Sequence, residues 1–193
     1  MICVSAPPAD HLGHQPRPSI RRRIKAATAA ALLLATMSAS AHADTISAAR
    51  SAYARGDFVR AVRVLSPLAL HGDPRAQAML GFMYENGFGT PQAYEVASDL
   101  YCQAAAAGNP FGQAMLGLMY DKGHGVPQDV VLAYKWLNLA AGNAGRAQRS
   151  YYLRLRNAVA SKMSTSQIAQ GQALALGWVP GPVSYTHLRA HET

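Results

Sequence analysis

The sequence has 193 residues, of which 50% are hydrophobic, and it carries a formal net charge of +8. This length accommodates one domain or two small ones, with enough apolar content for a sizeable core. Between residues 44 and 182 there are 12 basic and 8 acidic side chains. The net charge of this region is therefore only +4, which does not indicate a nucleic-acid-binding protein.

Residues 1–43 have the organisation of an export signal. A basic stretch at 21–25 precedes an apolar run at 26–37, and an Ala-x-Ala pattern ends at Ala43. This order predicts a secretory signal peptide that is cleaved after Ala43, with an assigned start that is longer than a leader needs. The apolar run is shorter than the roughly 20 residues that span a bilayer, so no stable membrane anchor is expected after cleavage. The expected location is periplasmic or secreted.

Residues 44–71 predict an irregular first helix pair. Two apolar-periodic segments, at 46–54 and 59–70, are separated by the tight turn Arg55-Gly56-Asp57-Phe58. We expect this degenerate pair to cap the N-terminal end of the repeats at 72–143.

The segment from residue 72 is organised by an internal repeat of 36 residues. Ala78-Met79-Leu80-Gly81 returns as Ala114-Met115-Leu116-Gly117. The same offset superimposes several glycines, a tyrosine and a Pro-Gln pair: Gly72 on Gly108, Tyr84 on Tyr120, Gly87 on Gly123, Gly89 on Gly125, and Pro91-Gln92 on Pro127-Gln128. A fixed period of this length predicts units that bury their apolar faces only against their neighbours.

Each unit predicts a first helix with clear boundaries. Asp73 is an expected N-cap, Pro74 suits the first helical position, and Gly87 can end the helix in the left-handed conformation. The corresponding signals in the next unit are Asn109, Pro110 and Gly123. An interior glycine costs about 1 kcal/mol of helix propensity. Its recurrence at Gly81 and Gly117 therefore predicts a close backbone contact at that position.

A second helix is predicted in each unit, at 94–107 and 130–141. Apolar residues recur there at core spacing. Asp129 can cap the later helix, whereas Ala93 at the equivalent position cannot, which costs about 1 kcal/mol.

These units resemble the Sel-one-like repeat, a relative of the tetratricopeptide repeat. The residues that carry the resemblance are Ala78, Leu80-Gly81, Tyr84, Gly87, Gly89 and Pro91-Gln92, and then Ala114, Leu116-Gly117, Tyr120, Gly123 and Gly125-Val126-Pro127-Gln128-Asp129. The resemblance implies an all-α fold, a right-handed α-solenoid of antiparallel helix pairs, with repeats at 72–107 and 108–143. Ala93 departs from the acidic residue usual in the family, which weakens one cap and leaves the assignment intact.

Residues 144–182 predict two closing helices. One spans 144–161, and a capping box at Ser164 and Gln167 opens the last. The first of them is basic, which is typical of a solvated face and leaves contact with an acidic partner or anionic envelope polymer open. Residues 183–193 resemble a translated sequencing-library adapter, so His187 and His191 are not assigned to a metal site.

The remaining polar residues do not indicate a catalytic or metal-binding site. His71 and His124 lie in turns without ligand spacing, and Cys102 in an apolar helix is a packing residue. Glu85 and Asp121 occupy equivalent positions and are the only candidates for a hydrolytic carboxylate pair, but both are expected to be solvated. We expect no catalytic residue, no cofactor and no metal.

The signal peptide predicts export, and the resemblance implies a non-enzymatic scaffold that binds a protein or peptide in the bacterial envelope. Candidate partner-binding residues are those that differ between units along the first helices: Arg75, Phe82, Glu85, Phe111, Leu118 and Lys122. The alternative is a protein that binds or hydrolyses cell-wall glycan or peptide. A disulfide-rich branch of the family is linked to such activity, but its paired cysteines are absent from this sequence.

Overall fold

The computed structural model describes residues 45–181, and helix is the only regular secondary structure in this part of the chain. The helices are α1 (45–54), α2 (Phe58–Leu70), α3 (Pro74–Asn86), α4 (Tyr94–Ala106), α5 (Pro110–Lys122), α6 (Val130–Asn143), α7 (Arg146–Ala160) and α8 (Thr165–Leu176). The expected all-α class is confirmed. The proposed signal peptide and the adapter-like tail lie outside the described residues. None of the helices within 45–181 combines the length and apolarity needed to cross a membrane.

The first helices of both repeats begin and end where their capping residues predict. The Asp73 carboxylate accepts from two backbone amides at the start of α3, at 2.8 and 3.2 Å, and the Asn109 side chain accepts one at 2.9 Å. At the other ends, Gly87 and Gly123 take left-handed φ angles of 70° and 72°. These contacts satisfy amides and carbonyls that a helix end leaves without intrahelical partners.

The second helices and the first closing helix differ slightly from prediction. Asp129 caps α6 and Ala93 makes no side-chain cap at α4, as expected. Helix α6 continues through Gly142 instead of ending before it. Helix α7 begins at Arg146 and not at residue 144, because Ala144 and Gly145 both take extended backbone angles.

Glycines set the close contact between the two helices of each repeat. A Cβ atom on Gly81 would lie 3.0 Å from the Tyr101 ring and 3.3 Å from the Ala97 carbonyl oxygen. One on Gly117 would lie 2.9 Å from Cγ of Leu137 and 3.1 Å from the Ala133 carbonyl oxygen. Side chains in a packed core do not yield at such distances without strain. The predicted backbone contact at these positions is confirmed.

The 36-residue relation extends back to α2, where the sequence shows little similarity. Each repeat has a connector between its two helices, at 87–93 in the first and 123–129 in the second. Gly89 in the first connector packs on the backbone of Phe58, where an added Cβ would lie 2.6 Å from the carbonyl carbon. Gly125 packs in the same way on the backbone of Tyr94, 36 residues after Phe58. Helix α2 is thus the structural equivalent of α4. The second glycine of each connector takes a left-handed φ angle, 72° at Gly89 and 67° at Gly125, and it also seats the connector on the preceding unit.

Buried glutamines join neighbouring units in the same repeating manner. Gln77 Nε2 donates to the Ala69 carbonyl, and Gln113 Nε2 donates to the Ala105 carbonyl, each at 3.2 Å. Both acceptors lie at the end of the preceding second helix, where carbonyls lack intrahelical donors. The buried amides therefore fix the spacing between successive helix pairs.

The closing helices α7 and α8 both pack on α6. The predicted capping box is present, with Ser164 accepting from the Gln167 amide and the Gln167 side chain accepting from the Ser164 amide. After α8 the chain turns back, so that Trp178 meets Trp136 with ring centroids 6.3 Å apart. The closing segment therefore covers the apolar end of the last repeat, as expected for a solenoid terminus.

Candidate protein-binding surfaces

The six predicted partner-binding residues lie on α3 and α5. Arg75 and Lys122 are exposed, and the other four are partly buried: Phe82, Glu85, Phe111 and Leu118. The rings of Phe82 and Phe111 lie 6.2 Å apart, so the structure brings these two residues together across neighbouring first helices. Their role in partner binding stays a prediction.

Phe82 also belongs to an aromatic cluster that the sequence did not reveal. Its ring lies 6.2 Å from Tyr53 of α1 and 6.1 Å from Phe88 of the first connector. Phe88 in turn stacks on Phe58 at 4.8 Å. Such pairs add about 0.5–1.5 kcal/mol each beyond area burial. Phe82 is therefore a packing residue on one side, and only its remaining exposed edge is available to a partner.

Glu85 is held by a tyrosine of the neighbouring helix. The Tyr101 hydroxyl donates to Oε2 of Glu85 at 2.8 Å. Burial, together with the nearby Glu85 carboxylate, raises the pKa of Tyr101 well above its ordinary value, so the hydroxyl stays protonated as a donor. The contact joins α3 to α4 and orients the Glu85 carboxylate.

Asp121, at the position equivalent to Glu85, has a different partner. Lys162 Nζ donates to both of its carboxylate oxygens, at 2.6 and 2.8 Å. The two carboxylates are thus each engaged by another part of the chain, Glu85 by Tyr101 of α4 and Asp121 by Lys162 of the turn between α7 and α8. This geometry gives no support to the hydrolytic pair that equivalent repeat positions had suggested.

The surroundings of His71, His124 and Cys102 fit a structural role for these side chains. His71 lies exposed with its Nδ1 2.6 Å from the Pro67 carbonyl oxygen, and the His124 ring lies 4.6 Å from the Tyr94 ring. Burial raises the pKa of the Cys102 thiol, which keeps it protonated and unreactive. Within residues 45–181, no three His, Cys, Asp or Glu side chains are grouped as a metal site requires.

Three of the five basic residues at 146–162 donate hydrogen bonds to other parts of the chain. Lys162 pairs with Asp121, Arg149 donates to the Gly142 carbonyl at 3.4 Å, and Arg156 donates to Oδ1 of Asn138 at 3.1 Å. Most of this charge therefore helps to hold the closing helices in place.

A second surface, which sequence reasoning missed, is an open groove between α2 and α4, above α3. The volume of the groove is about 520 Å³, which is within the range of ligand pockets. The residues that line it are Ser66, Ala69, Leu70, Gly72, Gln77, Leu80, Tyr84, Val96, Asp99, Leu100 and Gln103. Leu70 is 87% exposed and Val96 is 41% exposed. Burial raises the pKa of the Asp99 carboxyl at its edge. The lining residues have ordinary core spacing, so nothing in the sequence marks the groove as open.

Comparison with known proteins shows what this architecture is similar to. The family model described as the Sel1 repeat matches residues 74–109 and 110–143, which are the α3–α4 and α5–α6 pairs. The resemblance seen in the sequence is confirmed. No curated protein matches the chain at a significant level.

Two solved structures share the fold. A protective antigen present in uropathogenic Escherichia coli strains, which displays an SLR fold, aligns with a TM-score of 0.64 and 24% identity over 69% of this chain and 29% of its own. A Sel1 repeat protein from Oxalobacter formigenes aligns with a TM-score of 0.55 and 24% identity over 67% of this chain and 54% of its own. This chain therefore spans about a third to a half of the length of these two proteins.

Proposed function

The chain carries two Sel1 repeats, and on this premise we propose that it is a non-enzymatic scaffold that binds another protein or peptide in the bacterial envelope. Proteins with this repeat generally are scaffolds for protein–protein interaction. The observation that carries the proposal is a contrast between the two repeats. Residues that fix the helix contacts are identical, such as Gly81 and Gly117, whereas exposed positions differ, such as Asn86 and Lys122. A rigid frame with variable side chains is the usual basis of specific binding by solenoids.

Export is supported by the sequence of residues 1–43, which has the basic, apolar and small-residue regions of a secretory signal. The absence of enzymatic activity is supported by the engagement of Glu85 and Asp121 with Tyr101 and Lys162. Neither carboxylate is poised as a general acid in an apolar pocket.

Affinity capture with charge-reversal variants tests the proposed binding face. The purified chain, immobilised and exposed to envelope extract, is expected to retain a protein, and Arg75→Glu with Lys122→Glu is expected to reduce that retention. Both side chains are exposed, so the fold should tolerate the changes. Arg154→Glu, an exposed basic residue on α7, serves as the matched control and should leave retention unchanged. Equal loss in both variants, or capture of wall fragments without protein, would contradict the proposal.

A further inference from the structure

The solenoid contains two equivalent grooves that differ in occupancy. The first groove is the open one flanked by α2 and α4 over α3. The second groove lies 36 residues further along, flanked by α4 and α6 over α5. Four lining residues of the first groove have counterparts 36 residues later in the sequence: Ala69 and Ala105, Leu70 and Ala106, Gly72 and Gly108, and Leu100 and Trp136.

The second groove is filled by the chain's own residues 178–181. The Trp178 ring packs edge-on against Trp136, and its Cη2 would lie 3.7 Å from a Cβ on Gly108. The Gly181 amide donates to the Ala106 carbonyl at 3.1 Å, at the end of α4. The occupant is thus an extended segment that inserts one indole ring and makes one backbone hydrogen bond.

Each of these contacts has an open counterpart in the first groove. The residues equivalent to Trp136, Gly108 and Ala106 are Leu100, Gly72 and Leu70, and all three line the groove. Leu70 and Val96 together expose apolar surface there. Exposed apolar surface within a shaped pocket is typical of an interaction site.

We propose that the first groove binds an extended segment of a partner protein that inserts a tryptophan side chain over Leu100 and Gly72. Its backbone donates a hydrogen bond to the Leu70 carbonyl, as Gly181 does to Ala106. This inference adds a binding site and a partner segment to the proposed scaffold function. It rests on that function only because it treats the chain as a binding protein. It places a peptide on the side of the second helices, whereas Arg75 and Lys122 belong to the first helices.

The charge of the groove favours a basic partner segment over a second copy of this chain. Asp99 lies at the position that Lys135 occupies in the second groove, so the first groove has an acidic edge where the other has a basic one. Residues 178–181 are Trp-Val-Pro-Gly and carry no charge to complement Asp99. They are also already held in the second groove, so a second copy would have to give up its own contacts.

Fluorescence anisotropy with a synthetic probe tests the proposal. The probe is residues 175–181 with one lysine added at each end, blocked termini and a fluorescein label, titrated with the purified full chain. Saturable one-to-one binding is expected. Leu70→Lys should weaken binding by about tenfold or more, because it places a charge on the apolar wall beside the lysine-flanked probe. Val59→Lys, on the same helix and 59% exposed but outside the groove, is the matched control and should leave affinity within about twofold.

Four outcomes would overturn the proposal. The first two are the absence of saturable binding and an equal weakening of probe binding by Leu70→Lys and Val59→Lys. The third is a set of NMR chemical-shift changes confined to the Trp136 indole of the second groove. The fourth is a dimer of the chain that Trp178→Ala dissociates. The last would assign the groove to a second copy.

The Arg75→Glu and Lys122→Glu variant should bind the probe normally. If the probe fails while that variant still loses its envelope partner, the groove inference falls and the scaffold proposal stands.

Discussion

The two repeats share one frame and differ in what supports and covers them. The repeat at 108–143 has a capped second helix, an Asp121–Lys162 ion pair to the closing segment, and a groove filled by Trp178. The repeat at 72–107 has an uncapped second helix and an open groove. The closing segment thus completes the last repeat in the way that a further repeat would, and leaves the earlier groove free for a partner.

The largest expected effect comes from substituting the second glycine of each connector. It tests whether the frame that the two repeats share depends on this glycine. Gly125→Ala and Gly89→Ala should each reduce the free energy of unfolding by about 3 kcal/mol, because the added Cβ meets preceding backbone and the φ angle stays positive. Gly87→Ala has a φ of 70° but no neighbour closer than 3.6 Å, so it should cost only about 1 kcal/mol. Urea denaturation followed by circular dichroism measures all three. Similar losses at Gly87 and Gly125 would show that turn conformation alone accounts for the glycines.

Removing the indole that closes the second groove should make the two grooves alike. Trp178→Ala is expected to cost about 2 kcal/mol, since the partly buried ring loses its contacts with Trp136 and the Gly108 turn. It should also raise the probe stoichiometry from one to two, which isothermal titration calorimetry measures. Val179→Ala, at a side chain that is 78% exposed, should change neither quantity. An unchanged stoichiometry would contradict the equivalence of the grooves.

A single cap should remove another difference between the repeats. Ala93 and Asp129 have nearly the same backbone angles, with φ of −150° and −149°, so an aspartate at 93 can accept from the amides that open α4. Ala93→Asp should stabilise the protein by about 1 kcal/mol, and Asp129→Ala should destabilise it by a similar amount. Thermal denaturation of both variants and of Ala93→Asn, a second capping residue, measures the effect. If neither Ala93→Asp nor Ala93→Asn stabilises the protein, the missing cap at α4 does not account for a difference in stability between the repeats.

Most of the frame was predictable because local signals determine it. Asp73 and Asn109 identify helix starts, Gly87 and Gly123 identify ends, and the recurrence of Gly81 indicates a tight contact. The starts and ends depend on backbone chemistry within a few residues, and the tight contact is marked by a glycine that recurs at the same repeat position. The same reasoning placed the start of α7 two residues early, because the extended backbone at Ala144 and Gly145 has no clear local signature.

The candidate surfaces were less predictable because they depend on contacts between distant residues. Tyr53 lies on α1, well before Phe82 in the sequence, yet its ring and that of Phe88 limit what Phe82 can offer a partner. The difference between the grooves depends on Trp178, which lies 42 residues after Trp136 and outside the repeat period. Periodicity identifies equivalent positions, but it does not show which of them the end of the chain will cover.

The smallest expected effect concerns the ion pair that ties the later repeat to the closing segment. The Lys162 side chain is 51% exposed and that of Asp121 is 16% exposed, so solvent screens the pair and its contribution should be about 0.5 kcal/mol. A double-mutant cycle with Asp121→Asn and Lys162→Met measures the coupling, and raising the salt concentration from about 0.05 to about 0.5 M should reduce it. In the other repeat, Tyr101→Phe removes the neutral hydrogen-bond donor of Glu85, and its effect should be nearly independent of salt. A coupling above about 2 kcal/mol would mean that Lys162, and not apolar packing on α6, chiefly holds the closing helices.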